Sequence, residues 1–347
     1  MDYDRLLDTV LDSGYLPHAV IRMGIRHQVQ RRLAEIASPN LSQALVRKMA
    51  FIEELKRLSI AVETAAANKQ HYEVGVGVLL AALGPRMKYS SCIFPTGRET
   101  LGEAEVSTLQ SYIDKGELRD GMRVLDLGCG WGSASLYFAE KLPNSKIVGF
   151  SNSKKQKAFI DGRAKEKGLG NLEIITGDVS TYEFEHESFD RAVSIEMFEH
   201  MKNYEALMAK LARALKPGGK ALIHLFAHKD TPYHFEEGWM TTHFFTGGTM
   251  PSADLLLYFQ GDLKIQKHWW VNGRHYSKTL EAWLSKFIAN KKVAWPHLVE
   301  TYGEKNAYTW YNRWQIFYLA CSELFAFNGG ETFGVCHYLF EKPPRSS

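Results

Sequence analysis

One short stretch, Ser194-Ile195-Glu196-Met197-Phe198-Glu199-His200-Met201, carries two carboxylates and an imidazole. A carboxylate attracts a cationic nitrogen, and a neutral imidazole beside it can take that nitrogen's proton, so the set suits general-base chemistry on an amine. If the stretch is helical, Glu196 shares a face with Glu199 or His200 at three- or four-residue spacing. The same residues also read as a helix-start acid followed by a capping histidine. A second stretch, Val124-Leu125-Asp126-Leu127-Gly128-Cys129-Gly130-Trp131-Gly132-Ser133, breaks from an apolar run into glycines at every second position, ahead of a helix-like segment. Glycines there allow positive φ and let a ligand lie against bare backbone. The spacing D-x-G-x-G-x-G, with Asp126 on the strand, differs from the dinucleotide fingerprint G-x-G-x-x-G.

Open parallel sheets bind ligands beyond the carboxyl ends of their strands, so strands must deliver both stretches to one edge. The apolar runs supply them: a first strand ending in the glycine loop, then Lys146–Ser151, 172–178, Phe189–Ile195 and 220–226. Helices are expected over Leu101–Lys115 and 133–142, with Glu103 and Glu105 as exposed first-turn acids. A sixth strand over 263–271, a helix over 277–289, a long aromatic helix over 304–327 and a last strand, Phe333–Glu341, complete a seven-stranded sheet through an antiparallel hairpin. This order resembles the class I S-adenosylmethionine (SAM) methyltransferases, an α/β, Rossmann-like fold. Two neutral amides, Asn152 and Gln156, stand where most of that class place an acid for the ribose hydroxyls, and Asp178 stands where the adenine amine finds its acceptor.

Composition fits small-molecule chemistry. The 347 residues are 45% hydrophobic and carry 42 basic against 39 acidic side chains, a net charge of +3 with no run of one sign. Neither a nucleic-acid partner nor stable membrane association is called for. The first residues, Met1-Asp2-Tyr3-Asp4-Arg5, lack the order of a signal peptide, and a cytoplasmic protein is expected. Cys92, Cys129, Cys321 and Cys336 are scattered, as reduced thiols are, and His224 and His228 lack a third partner for a metal, so no metal is expected. Residues 5–66 show helical periodicity, with Arg22, Arg26, Arg31, Arg32, Lys48, Lys56 and Arg57 expected on solvated faces. The expected division is a helical cap and covering segment over 1–100 and the Rossmann-like core with substrate-binding insertions over 101–347.

More specific words run in order down the chain: Phe198-Glu199-His200-Met201-Lys202-Asn203-Tyr204-Glu205, Gly248-Thr249-Met250-Pro251-Ser252, Leu257-Tyr258-Phe259-Gln260, His268-Trp269, Trp314 with Phe317, and Asn328-Gly329-Gly330-Glu331. With these the sequence resembles the plant coclaurine, pavine and tetrahydroprotoberberine N-methyltransferases, a branch of the cyclopropane fatty acid synthase group. The resemblance implies Tyr89 and Ser90 near the SAM carboxylate, Asp126, Gly128 and Gly130 in the methionine-binding loop, Asn152 and Gln156 at the ribose, and Asp178, Val179 and Ile195 around the rest of the donor. It implies Tyr72, Glu73, Glu196, Glu199 and His200 at the amine, with Glu199 and His200 deprotonating it and Glu73 assisting. Trp314 and Phe317, one turn apart on the last helix, match aromatic positions closing the pocket, and Phe244, Phe245 and Tyr276 are further matches.

Two departures bear on the substrate. Cyclopropane synthases bind a bicarbonate base with the help of a cysteine where this chain has Ser91, and their C-terminal-helix tyrosine falls here on Ile316 or Phe317. The acidic cluster of the plant enzymes before Trp239 shrinks to Glu236-Glu237-Gly238. The expected activity is SAM-dependent N-methylation of a small hydrophobic, aromatic amine of the benzylisoquinoline or phenylalkylamine kind, with a homodimer left open. The alternatives are methyl transfer to a lipid alkene and a non-catalytic SAM-binding scaffold.

Overall fold

The computed structural model describes residues 9–61 and 75–345. Tyr72 and Glu73, expected at the amine, lie outside the described residues. Five parallel strands form the centre of the sheet: β1 (Arg123–Leu127), β2 (Lys146–Ser151), β3 (Leu172–Thr176), β4 (Phe189–Ile195) and β5 (Leu215–His228). A two-stranded ribbon, β6 (Tyr233–His234) with β7 (Thr249–Met250), precedes β8 (Lys264–Asn272) and β9 (Phe333–Glu341). The order is β3-β2-β1-β4-β5-β9-β8, with β9 antiparallel to both neighbours. Buried strand segments read as short apolar runs, Ile147-Val148-Gly149-Phe150 in β2 and Ala192-Val193 in β4, and the bounds of both strands were legible from them. β5 begins earlier than expected because its ladder jumps from Phe189↔Leu215 to Arg191↔Lys220. Lys216-Pro217-Gly218-Gly219 is absorbed as an irregularity that reads as a turn in sequence.

Alternation along the strands feeds two cores. Val124, Ile147, Val193 and Leu222 face α4 (Leu101–Lys115) and α5 (Ser133–Lys141), while Leu125, Val148, Ala192 and Ile223 face α2 (Leu41–Arg57) and α7 (Tyr204–Ala214). A third, aromatic core gathers α1 (His18–Ile36), α3 (Val76–Leu80), α9 (Arg274–Ala289), α10 (Lys291–Tyr302) and α11 (Glu304–Ala326). Two further helices are α6 (Lys154–Glu166) after β2 and the short α8 (Trp239–His243).

Two expectations about charge are corrected. Arg22 reaches Glu281 and Glu323 at 2.7 Å each, Arg26 joins Glu323 at 2.5 Å, and Lys48 meets Asp254 at 2.8 Å. Arg32 pairs with Glu236 and lies 4.7 Å over the Tyr233 ring. These cations fasten the N-terminal helices to the rest of the chain, where partners distant in sequence are invisible to a local reading. Glu103 closes a capping box with Thr100, but Glu105 is fully buried, accepting from the backbone N–H of Arg86 and Lys88. It thereby shapes the segment that carries Lys88, Tyr89 and Ser90.

Candidate active site

A cavity of about 140 Å³ opens at the carboxyl ends of β1 and β4, many times the space one water needs. One wall is the glycine loop, where Gly128, Gly130 and Gly132 have φ of 84°, 52° and 80°. A Cβ at Gly128 would stand 2.7 Å from Met197 and one at Gly132 would stand 2.6 Å from Ile160, so packing requires both glycines. At Gly130 a Cβ would meet no protein atom within 4 Å, and this residue lines the cavity. The loop ends at the N-terminus of α5, whose free N–H groups favour an anion; Ser133 and Ala134 line the wall there.

Tyr89, Ser90, Asp126, Gln156 and Ile195 line the same cavity. Asp126 accepts from Ser135 Oγ at 2.5 Å, and burial pushes its carboxyl up to about 6. The Gln156 side chain is fixed by Ser151 Oγ at 2.6 Å. Outside the cavity lining stand Asn152, exposed after β2, and Asp178, exposed after β3 with Oδ1 accepting from Ser180 N–H at 2.8 Å. Val179, also outside the lining, is buried in the core beside Phe150.

The stretch expected to handle the proton, residues 196–200, is not a regular helix, which corrects the face-sharing expectation. Glu196 takes a left-handed φ of 48°, and only Phe198–His200 winds into one 3₁₀ turn. The three side chains therefore diverge. Glu196 faces the cavity with its carboxylate clamped: Oε1 accepts from Ser91 N–H at 2.9 Å and contacts His224 Nε2 at 3.0 Å, and Oε2 accepts from Tyr276 O–H at 2.6 Å. A strained non-glycine backbone of this kind costs about 1–3 kcal/mol and persists where surrounding contacts over-determine it; three bonds on one carboxylate do so. Burial raises the Glu196 pKa from its ordinary value, against the opposing pull of the buried Lys88 ammonium.

His200 lines the cavity with its ring stacked on Phe245 at 4.6 Å, and desolvation pushes its pKa down to about 4. The ring faces an interior cavity, so it is part-exposed by area yet desolvated by depth. Glu199 turns inward and is fully buried, with Oε1 accepting from Phe226 N–H at 2.7 Å. Its Oε2 has no hydrogen-bond partner among the described residues, and burial, then the Glu196 charge, raises its pKa well above the carboxylate range.

The remaining wall is aromatic. Phe245, Tyr276 and Phe317 line it as expected, whereas Phe244 and Trp314 stand behind, Phe244 stacking on Phe317 at 4.6 Å and Trp314 packing edge-on at 5.7 Å. Lys88, Trp131, Phe226, Trp283 and Cys321 also line the cavity and had gone unassigned. For Lys88 the signal was adjacency to Tyr89-Ser90; Trp283 follows Tyr276 by two turns of one helix. His224, set aside as a metal ligand, holds Glu196 instead. Among the described residues no group of three His, Cys, Asp or Glu side chains could hold a metal, and no helix is long and apolar enough to cross a membrane.

A parallel sheet whose first strand ends in a glycine cradle, beside a second strand followed by a buried amide, defines a class I SAM-dependent methyltransferase. The matched family is mycolic acid cyclopropane synthetase, whose model covers residues 61–333, and the chain belongs to it. It is 35% identical over 340 residues to (S)-coclaurine N-methyltransferase of Thalictrum flavum subsp. glaucum, covering 96% of this chain and 94% of that one. It is 32% identical over 339 residues to pavine N-methyltransferase of the same plant, covering 96% and 97%. A crystal structure of coclaurine N-methyltransferase bound to N-methylheliamine and SAH superposes with a TM-score of 0.94 at 34% identity, covering 97% of this chain and 99% of that one. SAM fits the residues present: Gly130 leaves backbone clear, the α5 N-terminus suits its carboxylate, and Gln156 offers an amide. When bound, SAM supplies a methyl group on a sulfonium that leaves readily.

Proposed function

We propose that this enzyme methylates the basic nitrogen of a small aromatic amine of the benzylisoquinoline type, with His200 and Glu196 handling the proton at the cavity wall and Glu199 as a buried carboxyl behind them. The observation that carries the reading is a single cavity joining the glycine cradle to a clamped carboxylate, an imidazole and rings from three segments. The named activities of the coclaurine and pavine relatives support it.

The acceptor is the difficult partner. An amine with a pKa near 10.4 is neutral in about one part in a thousand at pH 7.4, a deficit of roughly 4 kcal/mol. Aromatic faces attract the ammonium form, which assists binding. Burial then acts on both partners in opposite senses, lowering an amine's pKa and raising that of Glu196. The gap between them narrows until the proton can cross. His200, neutral at working pH because burial holds it near 4, can accept a hydrogen bond from the N–H and orient the lone pair. Alignment in a water-poor cavity supplies much of the rest.

The test is methyl transfer from labelled SAM to phenylalkylamines, benzylisoquinolines, polyamines and phospholipid vesicles. Aromatic amines should react far faster than polyamines of equal basicity, and Phe317→Ala should erode that preference without changing SAM affinity. Transfer only to vesicle lipid, the chemistry for which the family model is named, or equal rates on spermidine-like and phenylalkyl amines, refutes the reading.

A further inference from the structure

Behind Glu196, away from the cavity, lies a line of titratable side chains that substrate binding does not require. His224 Nε2 is 3.0 Å from Glu196 Oε1, His224 Nδ1 is 3.0 Å from His337 Nε2, and His337 Nδ1 is 2.7 Å from Lys115 Nζ. The fold explains the alignment. His224 and His337 are directly opposed across the antiparallel β5–β9 pair, so both side chains leave the same face of the sheet. Tyr112 and Lys115 lie one turn apart on α4, which packs on that face. His224 and His337 are 2% and 0% exposed, whereas Lys115 is half-buried at the rim. The line thus runs from the active-site carboxylate through the sheet's packed layer to solvent.

We propose that His224, His337 and Lys115 form a relay that carries the proton released on N-methylation from Glu196 to solvent. This rests on the reading of the cavity as the site of N-methylation. The four groups have one arrangement of hydrogens for each end state. With Lys115 neutral and each ring carrying its hydrogen on Nδ1, the bonds point outward. A proton on Glu196 passes to His224 Nε2 as the carboxyl O–H breaks. His224 Nδ1–H then gives its proton to His337 Nε2, and His337 Nδ1–H gives its own to the Lys115 lone pair. Each ring gains one N–H and loses one, and the net change is one proton moved from Glu196 to Lys115. Afterwards Lys115 donates to His337, His337 to His224, and His224 to the restored carboxylate. Release of a proton from Lys115 to water, and tautomeric exchange that returns each ring's hydrogen from Nε2 to Nδ1, restore the starting set.

The surroundings suit such transfer. The groups facing the chain are Lys88 and Tyr112 beside His224, Trp269 on β8 with its ring 5.2 Å from Lys115 Nζ, and Tyr276, Glu199 and His200 around Glu196. Tyr112 O–H, 2.9 Å from His224 Nδ1, can rotate to keep that nitrogen paired while the proton is elsewhere. Burial and neighbouring cations hold both imidazoles well below their ordinary pKa, so neither ring retains an extra proton. Desolvation lowers Lys115 to about 8, leaving a sizeable neutral fraction near physiological pH.

The deciding variants are at Lys115. Lys115→Met removes the proton acceptor; Lys115→Arg keeps the charge but stays protonated throughout the working range. A relay requires both to lower kcat by about tenfold near pH 7.5 with SAM affinity and amine KM little changed. In the unmodified enzyme kcat should rise with pH through about 8, where Lys115 becomes neutral, and that rise should vanish in both variants. If Lys115→Arg restores full turnover, or both variants keep the normal kcat profile, the relay is refuted while N-methylation stands. His337→Gln, which keeps a hydrogen bond but cannot pass a proton, should match the Lys115 variants if it folds. If the unmodified enzyme methylates no amine, the functional reading fails on its own, and ¹⁵N imidazole resonances of the intact protein judge the relay. At pH 6.5 both rings should be neutral with hydrogen on Nε2; an imidazolium or Nδ1–H form at either ring overturns it.

Discussion

Replacing the three loop glycines one at a time by alanine separates fold from function. All three sit at positive φ, where a side chain costs about 1–2 kcal/mol. At Gly132 the new Cβ also strikes the buried Ile160 side chain at 2.6 Å, and overpacking of that kind adds about 1–3 kcal/mol. Gly132→Ala should therefore lose about 2–5 kcal/mol of unfolding free energy, with Gly128→Ala similar through Met197. Gly130→Ala meets no protein atom, so it should lose only the backbone term of about 1–2 kcal/mol. Its Cβ instead enters the space assigned to the donor, and SAM affinity should drop at least tenfold, a difference of about 1.4 kcal/mol. Urea denaturation followed at several probes gives the first quantity and calorimetric titration with SAM the second. Gly130→Ala binding SAM like the parent protein would remove this position from the donor site. A Gly130→Ala chain as unstable as Gly132→Ala would show that the residue serves packing.

His200→Ala should lower turnover by roughly a hundredfold with a smaller effect on amine binding, and raising the pH should recover part of the loss by supplying free amine; steady-state rates across pH check this, and unchanged turnover would make the ring structural. Burial holds His200 near 4 and His224 and His337 well below 6.5, so on acidification through 6.5 the unfolded chain takes up protons that the native chain refuses. These histidines should make stability fall as pH drops below about 6.5, each contributing at most about 1.4 kcal/mol per pH unit, while the raised Asp126 and Glu199 carboxyls act in the opposite sense; a folded His337→Gln variant whose denaturation midpoint shifts between pH 7 and 5 as the parent's does would contradict the histidine contribution. Glu323→Ala strips Arg26 of its carboxylate and leaves Arg22 only Glu281, so α1 should become more open to limited proteolysis while the sheet keeps its hydrogen-exchange protection, a pattern readable by mass spectrometry.

The parallel strands were readable because their buried stretches are apolar, Ile147-Val148-Gly149-Phe150 in β2 and Ala192-Val193 in β4, with the polar residues falling mostly towards the ends. The glycine cradle was legible through its flanks: the spacing alone also suits an ordinary strand-to-helix turn, and the order of the strands around it decided the reading. The stretch 196–200 was legible as a set of two carboxylates and an imidazole but not in its shape. A helix places residues by periodicity, whereas Glu196 owes its direction to a left-handed backbone fixed by Ser91, His224 and Tyr276, none of them near it in sequence. Arg22 and Lys48 misled for the same reason, as did Glu105, whose partners are backbone amides of a preceding loop. The aromatic wall was half legible: turn spacing put Trp314 and Phe317 on one side of α11, but it could not say that Phe317 meets the cavity while Trp314 supports it from behind.

The Glu196 carboxylate is where three distant pieces of chain close on one another. Ser91 comes from 105 residues earlier, Tyr276 from 80 residues later, and His224 from the next strand. Contacts of such long sequence separation form late, after the costly loops between them have closed. In refolding, the helices and the β1–β4 ladder should thus be complete before the carboxylate is clamped, and catalytic competence should return after far-ultraviolet dichroism has reached its native value. The enzyme's activity is then the last property the chain acquires as it folds.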